Sequence, residues 1–206
     1  MGDISLKGYH GTCSYAIKSI ESRGLDPAAT RYRSDHWLGQ GVYFFEDVSR
    51  AMWWAENTSR QNKNRGSFPI VYSASIVADE EHVLDLDDKV ALARFIQFTK
   101  DNLEEVDKFC EEKGIGLVFK NREQFRAVFF DYYKAVVGIK VIVCTFPKDF
   151  VSYVPNPPVN YAERKWQKDF LRDLNLSFKE KQICVSDKDC IKDRKLVYNG
   201  EEAEVI

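Results

Sequence analysis

The chain has 206 residues, with 30 basic against 32 acidic side chains and a formal net charge of −2. That balance excludes a protein that coats long nucleic acid through its phosphates, which needs a basic excess, but not an enzyme that touches a short stretch of RNA or DNA. Hydrophobic residues make up 44%, with 14 Phe, 10 Tyr and 4 Trp, enough apolar surface for a core without disulfides or metal.

The N-terminal stretch from Met1 to Gly8 lacks the charged-then-apolar order of a signal peptide. No apolar run approaches the about 20 residues of a membrane helix, so a cytoplasmic chain without membrane contact is expected. Thr12 or Ser14 is placed to cap a first helix, with Ala16, Ile17 and Ile20 on one face and Gly24 ending it. An Arg-rich polar loop then runs from Asp26 to Gly39 and is closed by Asp35, His36 and Trp37. Residues 41–45, Gly-Val-Tyr-Phe-Phe, read as a short buried strand. Asp47 or Ser49 starts a second helix with Ala51, Trp54 and Ala55 on its inner face, and residues 58–67 are polar and turn-rich. Ile70 to Val77 alternates as a strand does, and His82 to Leu86 is a short extended piece.

Leu92, Phe95, Ile96, Leu103, Val106, Phe109 and Cys110 recur at three- and four-residue spacing, predicting one long helix that Gly114 closes. Residues 122–137 repeat the pattern through Phe125, Val128, Phe129, Tyr132 and Val136. Ile139 to Phe146 is a strong strand. Pro155 to Pro158 breaks the chain, a charged helix follows around 161–173, and Gln182 to Val185 reads as the last strand. The tail, 199–206, is acidic and frayed. The five cysteines, Cys13, Cys110, Cys144, Cys184 and Cys190, are scattered without metal-ligand spacing, so no metal is expected. The order of elements lacks regular βαβ alternation and predicts an α+β fold: one domain over 1–198, with 79–137 as a helical insert.

Three segments carry the chemistry. The first is Tyr9-His10-Gly11-Thr12, read as a strand end, where a glycine beside a histidine lets the backbone approach a flat ligand, having no Cβ to block it. The second is Leu38-Gly39-Gln40-Gly41-Val42-Tyr43-Phe44, with Ala51 and Trp54 on the helix that follows. It is no dinucleotide-binding fingerprint, because the third Gly is missing and a strand follows rather than a helix. The third is Glu180-Lys181-Gln182-Ile183-Cys184-Val185, where side chains two apart share one face of a strand. Each segment alone has a plain structural reading. His10 then lies on the surface, Thr12 caps a helix, the tryptophans pack in the core and Glu180 is a solvated charge.

Taken in this order and spacing, the three segments resemble the ADP-ribosyltransferase superfamily in its diphtheria-toxin-like and PARP-like branch, over roughly residues 7–56 and 178–191. The resemblance implies a split β-sandwich of two small sheets with flanking helices, and NAD as the substrate whose ADP-ribose is passed to an acceptor. It assigns the nicotinamide amide to the backbone of Gly11, with Gly41 in the turn beside it. A ribose hydroxyl falls to His10, a hydroxyl contact to Thr12, and the two aromatic walls of the nicotinamide slot to Tyr43 and Trp54. Arg31 and Arg33 fall in the donor loop, facing the NAD diphosphate. His36 and Trp37 shape the pocket or meet adenine.

Two positions depart from the family pattern. Ala51 stands where many PARP-like enzymes have Ser, and Gln182 stands where Glu is usual. A neutral amide bonds a hydroxyl but supplies no full negative charge and no base, so either Glu180 or Gln182 is the key residue of the late strand. Poly(ADP-ribose) elongation is not expected. The implied activity is mono-ADP-ribosyl transfer to a protein or nucleic-acid acceptor, in a toxin or phage-defence setting where an inhibitory antitoxin is the implied partner. An NAD glycohydrolase, an inactive NAD- or ADP-ribose-binding module, and a fold-sharing RNA 2′-phosphotransferase with His36 as its second histidine are the competing readings.

Overall fold

The computed structural model describes residues 2–30, 36–112, 122–148 and 178–201, with isolated positions 162, 165, 166 and 169. Arg31 and Arg33 of the expected donor loop, Gly114, the Pro155–Pro158 break, most of the helix expected over 161–173 and the tail from 202 lie outside the described residues. Among the described residues, no helix is long and apolar enough to cross a membrane.

The fold is mixed α+β. Strand β1 (Asp3–Cys13) pairs antiparallel along its whole length with β3 (Pro69–Asp79), from Asp3 opposite Asp79 to Cys13 opposite Pro69. Strand β2 (Val42–Phe45) pairs with β6 (Phe178–Val185), which also pairs with β5 (Val141–Lys148). The short β4 (Val83–Asp85) runs parallel to β5, and β7 (Ile191–Asn199) covers the far edge of β3. Hydrogen bonds therefore join these strands into one seven-stranded sheet, in the order β4-β5-β6-β2-β1-β3-β7, rather than the two small sheets expected. The join between β1 and β2 is reduced to a single registered pair, Tyr9 with Phe45. Beyond it the strands diverge, and the sheet is pinched into two halves.

One face of this sheet holds a core common to both halves. Val42, Phe44, Val143 and Ile183 pack there with Ile70, Tyr72 and Ile76, and helix α1 (Ile17–Arg23) covers them with Ile20. Two separate layers cover the other face. Helix α2 (Val48–Ser59) lays Ala51 and Ala55 against Phe45, Val71 and Tyr9. Helices α3 (Lys89–Asp101) and α5 (Arg122–Val137) cover Leu84, Ile142 and Cys184 with Phe95, Phe130 and Tyr133. Phe95 stacks on Phe130 at 5.0 Å and meets Tyr133 edge-on at 5.1 Å. Among the described residues, the face between these two layers lies open, at the pinch.

Several local expectations are corrected. Thr12 is not a helix cap: pairing with β3 continues through it to Cys13, and α1 begins after a 3-10 turn at Ser14–Ala16 without a side-chain cap. Ser14 instead accepts the Phe68 N–H at 3.2 Å. Gly24 does end α1, at φ 78, a conformation that suits a residue without Cβ. Asp47 caps α2 by accepting the Ser49 N–H at 2.8 Å. The long helix expected over 92–110 is interrupted at Asn102, whose amide donates back to Phe98 O at 2.8 Å. This leaves α3 and α4 (Leu103–Glu112) as separate helices. The last described strand is β7, not Gln182–Val185. Its charged residues hide the strand period because it is an edge strand, with Lys192, Lys195, Leu196 and Val197 exposed.

Candidate active site at the pinch of the sheet

His10 fills the gap where β1 leaves β2. Its Nδ1 donates to the Tyr43 carbonyl at 2.8 Å, replacing the ladder bond that the diverging strands give up. Burial, opposed in part by that bond, holds the imidazole pKa below its ordinary 6.5. The ring is therefore neutral at pH 7, with its proton on Nδ1 and an acceptor lone pair on Nε2.

Tyr43 is held from both sides. Its hydroxyl donates to Gly39 O at 2.7 Å and accepts the Leu38 N–H at 2.7 Å. Burial, with the nearby Cys184 and Asp131, pushes its pKa up, and the bond from Leu38 opposes that shift. The phenol is accordingly a fixed neutral wall and not a proton carrier. The turn that holds it is itself anchored from α5. Asp131 accepts the Gln40 N–H at 2.7 Å, and Lys134 Nζ donates to Gln40 O at 2.7 Å and to Asp131 at 3.1 Å. Gly39, at φ 75, is required by this geometry, since a Cβ there would meet Asp131 Oδ1 at 2.3 Å.

The third group comes from β6. Glu180 and Gln182 are buried, so Glu180 is not a solvated charge. Gln182 Nε2 donates to one carboxylate oxygen of Glu180, and Arg50 Nε donates to the other. Arg50 is itself buried in the first turn of α2 and stacks on Trp53, its guanidinium carbon 3.8 Å from the ring centroid.

These groups share one cavity of about 430 Å³. Its walls include His10, Gly11, Thr12, Gly41, Tyr43, Trp54, Glu180 and Gln182, all singled out in the sequence, and also His36 and Trp37. Arg31 lies outside the described residues. Two expectations are revised. Gly11 lines the cavity, but its missing Cβ is needed by α2: a Cβ would sit 2.0 Å from Ala51 O. Trp54 does not lie on the inner face of α2, which is formed by Arg50, Ala51, Ala55 and Ser59. Both Trp53 and Trp54 remain open, at 37% and 41% exposure, and lean over the cavity. Ala51 is fully buried against Gly11, where a serine hydroxyl would have no access to a ligand.

Sequence reasoning missed Arg50, Trp53, Thr58, Gln61 and Lys63, which also line the cavity. The signal for Arg50 was its position three and four residues before the tryptophan pair, on one helical face. Among the described residues, no group of three or more His, Cys, Asp and Glu side chains is placed to hold a metal ion. The cavity is equipped for a flat ligand. It offers aromatic surface, a neutral histidine acceptor, and a buried carboxylate held by a guanidinium and an amide.

No family model matches the chain, and no solved structure matches it. Among curated proteins the chain is similar to an uncharacterized protein of Methanocaldococcus jannaschii. The two are 28% identical over 207 aligned residues, covering 93% of this chain and 87% of the archaeal protein.

Proposed function

We propose that the chain is an NAD-dependent mono-ADP-ribosyltransferase with an ADP-ribosyltransferase-like fold, and that the cavity at the pinch is its NAD site. The observation that supports this most is the convergence of three segments far apart in sequence, around His10, Tyr43 and Glu180/Gln182, on one cavity. In the proposed complex the nicotinamide ring, an aromatic cation, lies against Tyr43 and Trp54. The backbone at Gly11 meets its amide, and His10 Nε2 accepts a ribose hydroxyl. Cleavage sends the electron pair of the nicotinamide–ribose bond to the ring nitrogen and leaves oxocarbenium character on the ribose carbon, as in glycoside cleavage. The Glu180 carboxylate stabilises that charge, and an acceptor nucleophile on a protein or nucleic acid bonds to the ribose carbon and releases its proton to solvent as nicotinamide departs.

The Arg50–Glu180 pair favours a second reading. A carboxylate already neutralised by a guanidinium offers less stabilisation to a developing cation, and Gln182 offers no charge. A module that binds NAD or ADP-ribose without turning it over is consistent with both features. Incubation with labelled NAD and a cell lysate separates the readings. Label on protein, RNA or DNA that is lost in Tyr43→Ala and His10→Ala supports the transferase. Free ADP-ribose alone, with the same dependence on these residues, makes it an NAD glycohydrolase. Binding without turnover makes it a module, and full activity in either variant overturns the cavity assignment.

A further inference from the structure

On the sheet face opposite the cavity, where α1 covers Tyr72 and Ile76, lies a second concavity of about 430 Å³. Among the described residues, Arg23, Lys188, Lys192 and Arg194 line it, with Asp189 as the one carboxylate. Four cations against one anion is a local excess of three positive charges on a chain whose net charge is −2. Among the described residues none of the four is ion-paired. Arg23 donates to Ser19 Oγ at 2.8 Å, and Arg194 donates to Ile20 O. Like charges gathered in one depression repel each other, and a ligand of opposite charge relieves that repulsion.

The backbone aims one of these cations. The β3–β7 register slips between Ser73 and Ser75, which pair with Lys195 and Lys192, so β7 carries one residue more than β3 across that stretch. Asp193 in this bulge has φ 49, the left-handed region that a residue with a Cβ rarely adopts. Bulges re-aim side chains, and here Arg194 turns onto the end of α1 and over the Tyr72 ring at 5.7 Å. A neighbouring concavity of about 520 Å³ shares Lys188 and adds Lys134 and Lys140, set against the carboxylates of Asp26 and Asp187, with Lys140 Nζ 3.3 Å from Asp187; two added cations against two added anions leave the local excess positive. The two depressions meet at Lys188 and form an elongated path, which suits a linear polyanion better than a single small ion.

We infer that this surface binds the phosphodiester backbone of a nucleic-acid strand. The inference is independent of the chemistry proposed at the cavity. Arginine and lysine bind phosphate oxygens without reading bases, so the contact is expected to tolerate any sequence and to weaken steeply with salt.

The test is fluorescence anisotropy of labelled single-stranded RNA and DNA oligonucleotides with the whole chain. Four phosphate contacts predict a loss of affinity of about 50-fold between roughly 50 and 200 mM salt. The triple variant Arg23→Glu, Lys188→Glu, Lys192→Glu is expected to bind at least about tenfold more weakly with an unchanged melting temperature, while Tyr43→Ala binds as the wild type does. If the triple variant melts early, Lys192→Glu alone carries the test through a flatter salt dependence. No binding by the wild type at low salt, undiminished binding by the charge-reversed variant, or equal binding of polyglutamate overturns the inference. Absence of NAD turnover in the wild type, with oligonucleotide binding intact, would overturn the transferase reading alone.

Discussion

One face of strand β6 meets an ion pair at each end, Lys134 with Asp131 from α5 beside Cys184 and Arg50 of α2 with Glu180 of the strand itself, and the two differ in what else they touch. At the Cys184 end, Lys134 is buried and Asp131 half-buried, and neither lines the cavity at the pinch. Lys134 reaches Gln40 O, Asp131 and the Cys184 thiol, at 2.7, 3.1 and 3.8 Å. At the Glu180 end, Arg50 and Glu180 are both buried but line the cavity at the pinch. Taking charge out of water costs several kcal/mol per ion unless geometry and hydrogen bonds compensate. The closed pair meets that cost by clamping a backbone turn, which makes it scaffold. The open pair keeps a carboxylate dry beside space for a ligand, and that is where chemistry is expected.

This contrast is open to attack from several directions. The largest effect is expected from Glu180→Gln, which keeps shape but removes charge: NAD turnover should fall by about a hundredfold or more, with NAD binding largely retained. An unchanged rate would reduce the open pair to scaffold as well. Lys134→Met at the closed end leaves the half-buried Asp131 without its cation, with an expected loss of about 1–3 kcal/mol in denaturant unfolding. A marginal effect there would mean that the turn does not depend on the clamp.

Tyr43→Phe is subtler. It strips the hydroxyl from Leu38 N–H and Gly39 O while leaving the ring in the cavity, for a cost of about 1–3 kcal/mol. NAD affinity should drop less than in Tyr43→Ala; equal losses would show that the hydroxyl and not the ring face matters.

The smallest effect is a pH dependence. Folded His10 has a lowered pKa, whereas the unfolded chain takes up its proton near 6.5. Its contribution to stability is therefore complete above 6.5 and is lost as pH falls through the lowered folded value. Melting scans of wild type and His10→Gln from neutral pH to well below 6.5 should show the steeper decline in the wild type; parallel curves would contradict the neutral, buried assignment.

Legibility in the sequence followed burial. Strands β2, β3 and β5 and helices α2 and α5 were readable because apolar residues recur at the strand or helix period where one face is covered. Strand β7 was not, since Lys192, Lys195, Leu196 and Val197 are exposed at an edge that no layer of the described residues covers. Strand β1 was recognised only at its end, because its outer half alternates exposed and half-buried residues rather than apolar and polar ones. Of the site, the residues in short local motifs were visible: His10, Gly11, Thr12, Gly41, Tyr43 and Trp54. The clamp was not, because Gln40 and Asp131 lie 91 residues apart and nothing local links them.

Composition and periodicity alone therefore determined the mixed α+β class and most of the element order, while the resemblance carried by three short motifs picked out which aromatic, histidine and carboxylate residues were worth watching. Only the tertiary structure decided that β1 and β2 part after one residue pair and that His10 plugs the gap. It also decided that Glu180 is buried against Arg50 from a helix 130 positions away in the chain. Periodicity is a property of neighbours in sequence, whereas the charge state and role of a buried carboxylate depend on what the folded chain brings against it.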